Sequence, residues 1–337
     1  MRCRILLSTF TIFCAVSSAT IPVTAAGSSY QIVSRATLGG DGGWDYLNLD
    51  PASHNLFITR GSHVMVVDPT SGKQIADIAG LAGVHGTAFI GNRAYITEGG
   101  ANQLAVIDTK TFEKISAIAV GARPDSVLFD DFSGHIFTFN GTSNDATAVD
   151  PAAGKAVGSV KLGGKPEAAV SDGAGTIFVN IEDTSEIVAF DAKTLAIKHR
   201  FPLAPCQEPS GIAADIAHGR IFSGCDNKMI AVTDMKSGKV VAQIPIGEGV
   251  DANRFDPATG LVFSSNGESG TMTVAHEDGP NQFSVVQTIA TESGARTMEL
   301  DPQTHRVFTV SADRKKIVGQ SRPAPVPGTF RLLVLSR

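Results

Sequence analysis

A pattern of about forty residues that returns seven times constrains this chain more than any other feature. A repeat of that length is one supersecondary unit, and it buries its apolar face only against its neighbours. The clearest mark is a strand-like stretch, read as "LFIT" at 56, "AYIT" at 94, "IFTF" at 136, "IFVN" at 177, "IFSG" at 221, "VFSS" at 262 and "VFTV" at 307. Ahead of it lies a second apolar run that usually ends in Asp, as in "YLNLDP", "SVLFDD" and "MELDP". After it come a polar loop, a third run, a tight turn such as "DPTSGK" or "DMKSGK", and a fourth run such as "QIADIAG". Residues that are β-branched or aromatic, punctuated by Asp-Pro and Ser-Gly steps, read as short strands and turns. Four strands per repeat describe a propeller blade. No segment sustains a 3.6-residue apolar period, so the expectation is all-β: a seven-bladed β-propeller of four-stranded blades.

The two ends of the pattern complement each other. "QIVSRATLGG" at 31 looks like a fourth strand with no first three before it, and "TFRLLVLSR" at 329 looks like a third strand with no fourth after it. Residues 31 to 39 are therefore expected to complete the last blade and close the ring, covering an edge that would otherwise stand open.

Arg2 and Arg4 followed by "ILLSTFTIFCAV" and the small residues "VTAAG" read as a secretory signal peptide over residues 1–26, cleaved after Ala25 or Ala26. The expectation is a periplasmic or secreted protein whose residues 27–337 form a single propeller domain with no membrane span, taken as a monomer. Cys3 and Cys14 fall in the leader, leaving Cys206 and Cys225, and a pair in an oxidising compartment is expected to form a structural disulfide. With a formal net charge of −5 and no basic run longer than Arg314-Lys315-Lys316, nucleic acid is not an expected partner.

Repeat position also predicts spatial position. The loops that lead into first strands and those joining second to third strands share one face of a propeller. Five residues before the Asp that ends each first strand, or before Ile90 in the second repeat, stand Asp45, His85, Asp125, Glu167, Ser210, Asp251 and Arg296. This ring is never apolar and holds four carboxylates, with Glu208 nearby. Arg60, Glu98, Asn140, Asp226, Asn266 and Glu268 top the second strands and are expected to form an outer tier on the same face. Trp44 reads either as an exposed recognition aromatic beside Asp45 or as a plug between blades one and seven. Gly42, Gly43, Gly247 and Gly249 let the backbone turn over the rim. The disulfide is expected to brace the Glu208-Pro209-Ser210 lip, and the Pro-rich loop at 312–328 to overhang the mouth. His54, His135, His218 and His305 fall in turns of the opposite face and read as plain surface residues.

The triplets "FITR" and "YITE", turns such as "VIDTKTFE", and the stretches "GDGGWDYL", "GVHG", "EPSGIA" and "GARTMELDP" resemble the YVTN-repeat, YncE-like β-propellers of exported bacterial proteins. That resemblance implies the fold and a ligand- or partner-binding habit, and brings no reaction with it.

Two functional readings stay open. In the first, the acidic mouth holds a small ligand, protein or peptide, and the chain is a binding or scaffolding module and not an enzyme. No G-x-S-x-G, H-E-x-x-H, P-loop or C-x-x-C-H motif contradicts it. In the second, Asp45, His85 and Asp251 hold Ca²⁺, Mg²⁺ or Mn²⁺, and His85, Glu167 and Arg296 serve a metal-dependent hydrolase, lactonase or lyase. A quinone or electron-transfer propeller ranks last.

Overall fold

A computed structural model describes residues 29–316 and 323–337, so the expected leader lies outside the described residues. Seven four-stranded antiparallel sheets stand around a ring, and no helix occurs among the described residues. In blade two the strands run Val84–Ile90, Arg93–Glu98, Gln103–Asp108 and Lys114–Ala119, in that order from the channel outward.

Burial follows strand position. First strands line the channel and are half-buried, whereas second strands such as Leu56–Thr59 are buried throughout, being covered by a neighbouring blade on each face. That is why the second strands read as continuous apolar runs and not as alternating ones. Outer strands such as Lys73–Ile78 meet solvent and alternate weakly. Blades cohere by wedging aromatic side chains between sheets. Phe137 and Phe139 of blade three pack on Ile177, Val179 and Phe190 of blade four, with the Phe137 and Phe190 rings 5.5 Å apart. Each such ring contributes about 2 kcal/mol by its removal from water.

The seam lies where the sequence places it. Gln31–Thr37 pairs antiparallel with Arg331–Ser336, from Gln31 opposite Ser336 to Thr37 opposite Arg331, and completes the seventh blade outside Met298–Asp301 and Arg306–Ser311. Just before it, Tyr30 packs edge-on against Phe263 at 5.1 Å and donates its hydroxyl to the His305 carbonyl at 2.7 Å, so the first strand is anchored across the blade six and seven boundary. Cys206 and Cys225 form a disulfide, with Cα atoms 5.4 Å apart.

Candidate functional site

The seven ring positions all line one cavity of about 1180 Å³ at the wide end of the channel. Local backbone explains why they point inward. In blades two to six the first strand slips register where it begins, between Val84 and Thr87, Pro124 and Val127, Pro166 and Ala169, Pro209 and Ile212, and Val250 and Ala252. His85, Asp125, Glu167, Ser210 and Asp251 sit in those bulges. A bulge leaves its extra residue unpaired and re-aims its side chain, here from the ladder into the mouth.

A second device fixes the ring. Its backbone carbonyls accept hydrogen bonds from hydroxyl or amide groups of the preceding blade: Thr97 to Asp125 at 2.6 Å, Ser126 to Glu167, Asn180 to Ser210 at 3.1 Å, Ser265 to Arg296, and Thr297 to Asp45 at 2.8 Å. Ser210 itself reaches the Val250 carbonyl at 2.9 Å, one residue before Asp251. The mouth is thus fastened blade to blade, independently of its side-chain charges.

Two residues before each ring position is a further set: Gly43, Gly83, Arg123, Lys165, Glu208, Gly249 and Gly294. Gly83, Gly249 and Gly294 take positive φ there, and so do Arg123 (φ 55°) and Glu208 (φ 48°). A side chain in that region costs on the order of 1 kcal/mol, and such residues cluster at functional sites. Arg123, Lys165 and Glu208 all line the cavity. Arg123 and Lys165 were not singled out from the sequence, although counting two residues back from each ring position would have found them.

The cavity lining carries ten carboxylates against six lysines and arginines, with His85 in addition. Lys165 binds Glu167 at 2.5 Å and also Glu182, and although burial opposes its charge these two carboxylates hold its pKa above the ordinary lysine range. Arg296 bonds Asp251, the Trp44 carbonyl at 2.7 Å and Asp45 at 3.4 Å; burial works against it, but Asp251 and Asp45 keep it firmly charged. His85 Nδ1 lies 2.6 Å from Asp45 and 3.6 Å from Asp125. Burial lowers the His85 pKa, yet the Asp45 hydrogen bond and the two carboxylate charges outweigh it and leave it raised.

Asp125 is the least compensated member. Burial first, then the Asp45 charge, raises it to about 6. Glu167 is raised too, by burial and by Asp125, even though Lys165 touches it. The direct ammonium contact argues that Glu167 keeps its charge, so the shared excess is best placed on Asp125. Tyr46 stands between the mouth and a narrower chamber of about 290 Å³ below it. Burial and the surrounding carboxylates push its phenol well above the ordinary range, which leaves it a neutral donor.

Several expected site residues are elsewhere. Trp44 is buried, 5.4 Å from Phe330 in the core between blades one and seven, so it is the plug and not an exposed recognition ring. Arg60 is 2% exposed and stacks 3.6 Å from the Phe330 ring. Its guanidinium bonds the carbonyls of Gly43 at 2.9 Å and Asp41 at 2.7 Å, with longer bonds to Gly39 and Gly42. The glycine-rich lip therefore wraps an arginine of its own chain, and burial lowers that arginine's pKa to about 10. Glu98 accepts from Ala82 N at 2.9 Å, Gln103 at 2.7 Å and Lys114 at 2.8 Å. Asn140 donates to Asp145 and Thr147, and Asn266 to Thr271 and Thr273, on the third strands of their own blades. Glu98, Asn140 and Asn266 face inward because their polar groups knit second strand to third, and Arg60 because it holds the lip. Of the expected outer tier, Asp226 and Glu268 line the cavity, as Glu208 does.

Of the expected metal residues, the structure brings Asp45 and His85 together with Asp125. Asp251 is committed to Arg296, and Asp125 stands in its place, so that Asp45, His85 and Asp125 present ligand atoms within 4.8 Å of one another. The base of the Pro-rich loop, Arg314–Lys315 paired with Ala324–Pro325, brings Arg314 and Lys316 to the rim. On the opposite face His305 bonds buried Asp256 at 2.8 Å and His218 bonds Asp215 at 2.5 Å, so neither is a plain surface residue.

Fold and site together define a seven-bladed propeller with a deep, charge-lined mouth. A family profile described as outer membrane protein assembly factor BamB matches residues 60–329. Two relatives share sequence with part of the chain: an uncharacterized protein YncE of Salmonella typhimurium, 35% identical over 112 residues, and one of Salmonella typhi, 34% identical over 113. In both the match covers 31% of this chain and 31% of the relative, so the chain spans about a third of the length of the curated relatives it matches. The chain belongs to this BamB-type propeller family, with YncE-like repeats. Among solved structures, a chain of Kuenenia stuttgartiensis hydrazine synthase superposes with TM-score 0.70 at 14% identity, covering 80% of this chain and 92% of that one. A chain of a mitotic checkpoint complex superposes with TM-score 0.74 at 12% identity, covering 98% and 99%. At such identities these likenesses speak for the fold alone.

Proposed function

We propose that the protein is a binding propeller whose mouth takes up a cationic group, an amine or guanidinium carried by a small ligand or by a polypeptide partner. The observation that carries this reading is Asp125, which stands in the ring between His85 and Glu167, lines the mouth with His85 Nδ1 3.6 Å away, and has its pKa raised to about 6 by burial and the Asp45 charge. Carboxylates crowded out of water repel unless a cation joins them, and a ligand cation is the economical partner for a site with a carboxylate excess. A binding role also suits the matched family description, an assembly factor, which supports a polypeptide as the source of the basic group. The disulfide suits an oxidising compartment, and we place the working protein outside the cytoplasm after loss of residues 1–26.

Calorimetric titration with spermidine, oligolysine and oligoglutamate tests the reading. Cations are expected to bind, more tightly at about pH 8 than at about pH 5.5, because a cation favours the ionised carboxylates. Added salt should weaken the binding, and Asp45→Asn with Asp125→Asn should abolish it. Preference for oligoglutamate, or indifference to all three, sinks the proposal. The Asp45, His85 and Asp125 cluster favours one second reading, a divalent ion serving a hydrolase or lyase. Hydrolytic or lyase activity that disappears on chelation and in His85→Ala would select it.

A further inference from the structure

On the face opposite the mouth, we infer that Asp215, His218 and Glu277 form a site for a divalent transition ion, best matched by Zn²⁺, that joins blade five to blade six. Asp215 ends the first strand of blade five, His218 lies in the turn after it, and Glu277 is near the far end of the third strand of blade six. Their ligand atoms lie within 4.8 Å of one another, His218 Nδ1 being 2.5 Å from Asp215 and 3.7 Å from Glu277 Oε1. Proximity of acidic groups would not suffice alone. The decisive observation is Glu277: its side chain is 6% exposed, and Oε1 accepts no hydrogen bond among the described residues, having beside it only the His218 ring at 3.7 Å and the carboxyl group of Asp215. A buried carboxylate oxygen left without a donor is costly.

Sister blades sharpen the inference. The Asp that ends a first strand turns the chain by accepting backbone N–H groups, and its second oxygen takes a hydroxyl three residues on: Ser53 for Asp50, Thr259 for Asp256, Thr304 for Asp301. Asp215 keeps the backbone bonds, from Ala217 and His218, but the hydroxyl position holds an imidazole. A turn needs only the hydroxyl; the imidazole adds a nitrogen ligand beside the unpartnered glutamate. The nearest fixed cation, Arg220, is spent on Asp234, Asn281 and the carbonyls of Pro280, His218 and Gly219.

Two carboxylates and one imidazole make a three-ligand donor set suited to Zn²⁺ and supply too few oxygens for Ca²⁺. The His218 side chain is 62% exposed, so it can swing from its Asp215 bond and admit the ion from solvent.

The test is Zn²⁺ titration of the chelator-stripped full chain by calorimetry and thermal melting, alongside His218→Ser, Glu277→Gln and His85→Ala. His218→Ser restores the hydroxyl of the sister blades and Glu277→Gln keeps the side-chain shape, so both variants are expected to fold. One Zn²⁺ should bind, and Tm should rise with the logarithm of Zn²⁺ concentration, in the parent and in His85→Ala. Both effects should vanish in His218→Ser and in Glu277→Gln. Absence of binding in the parent, or an undiminished count of bound ions in His218→Ser or in Glu277→Gln, overturns the assignment. Zn²⁺ lost only with His85→Ala would belong to the mouth and would equally overturn it.

Discussion

Two sets of polar residues lie close together on one face of the propeller and serve opposite ends. Asp45, His85, Asp125 and Glu167 project into the mouth with more negative charge than their partners balance, while Arg60, Glu98, Asn140 and Asn266 are buried and supplied with partners from their own or adjoining strands. The contrast teaches that residue type does not separate a site from a brace. What separates them is whether each polar atom has found a partner within the protein, for groups so satisfied stabilise and groups held short of partners are available to a ligand.

Removal of the brace should have the largest effect. Arg60→Ala deletes the guanidinium that four lip carbonyls surround and the cation stacked on Phe330. A loss of about 3–4 kcal/mol in a urea melt is expected, since buried carbonyls lose their donors. Glu98→Ala should cost about 2 kcal/mol by the same measurement, because Ala82 N and Gln103 lose their acceptor. A melt unchanged by either substitution would erase the distinction between tier and ring.

Asp125→Asn should move stability the other way and by less. The folded carboxyl, raised to about 6, binds its proton more tightly than an unfolded Asp at 3.8, so the folded state is progressively penalised as pH rises from about 4 to about 6 and fully so above. Relief of that penalty in Asp125→Asn is expected to stabilise the protein by about 1–2 kcal/mol near pH 8 and to flatten the pH profile in that window. His85 acts in the same sense: its raised pKa contributes stability below the ordinary imidazole range that fades as pH rises through its folded value. Destabilisation by Asp125→Asn at pH 8 would show that the ring is as well compensated as the brace.

The sequence carried the blades plainly because their signals are local. Each "LFIT"-like run and each Asp-led turn announces itself within ten residues, and seven repetitions average out exceptions such as Ile90. Ring membership followed from counting along the repeat. The roles of Trp44 and Arg60 did not, because they depend on Phe330, which is almost three hundred residues distant and reaches them only when the ring closes. Nor could counting tell that Asp251 pairs with Arg296 while Asp125 stands less compensated, since that is a matter of which loop leans toward which. The inter-blade bonds from Thr97, Asn180 and Ser265 share one repeat position, but a polar residue within a strand does not by itself say that its partner lies in the next blade.

The pairing of Gln31–Thr37 with Arg331–Ser336 has a consequence in time as well as in space. Bringing those strands together closes a loop of nearly the whole chain, and long-range closures are the slow ones in folding. Blades one to six are each drawn from one contiguous stretch, whereas the walls of the mouth become a circle only when Arg331–Ser336 meets Gln31–Thr37. Occupancy of the mouth would then depend on that closure, so a ligand held there also holds the seam shut.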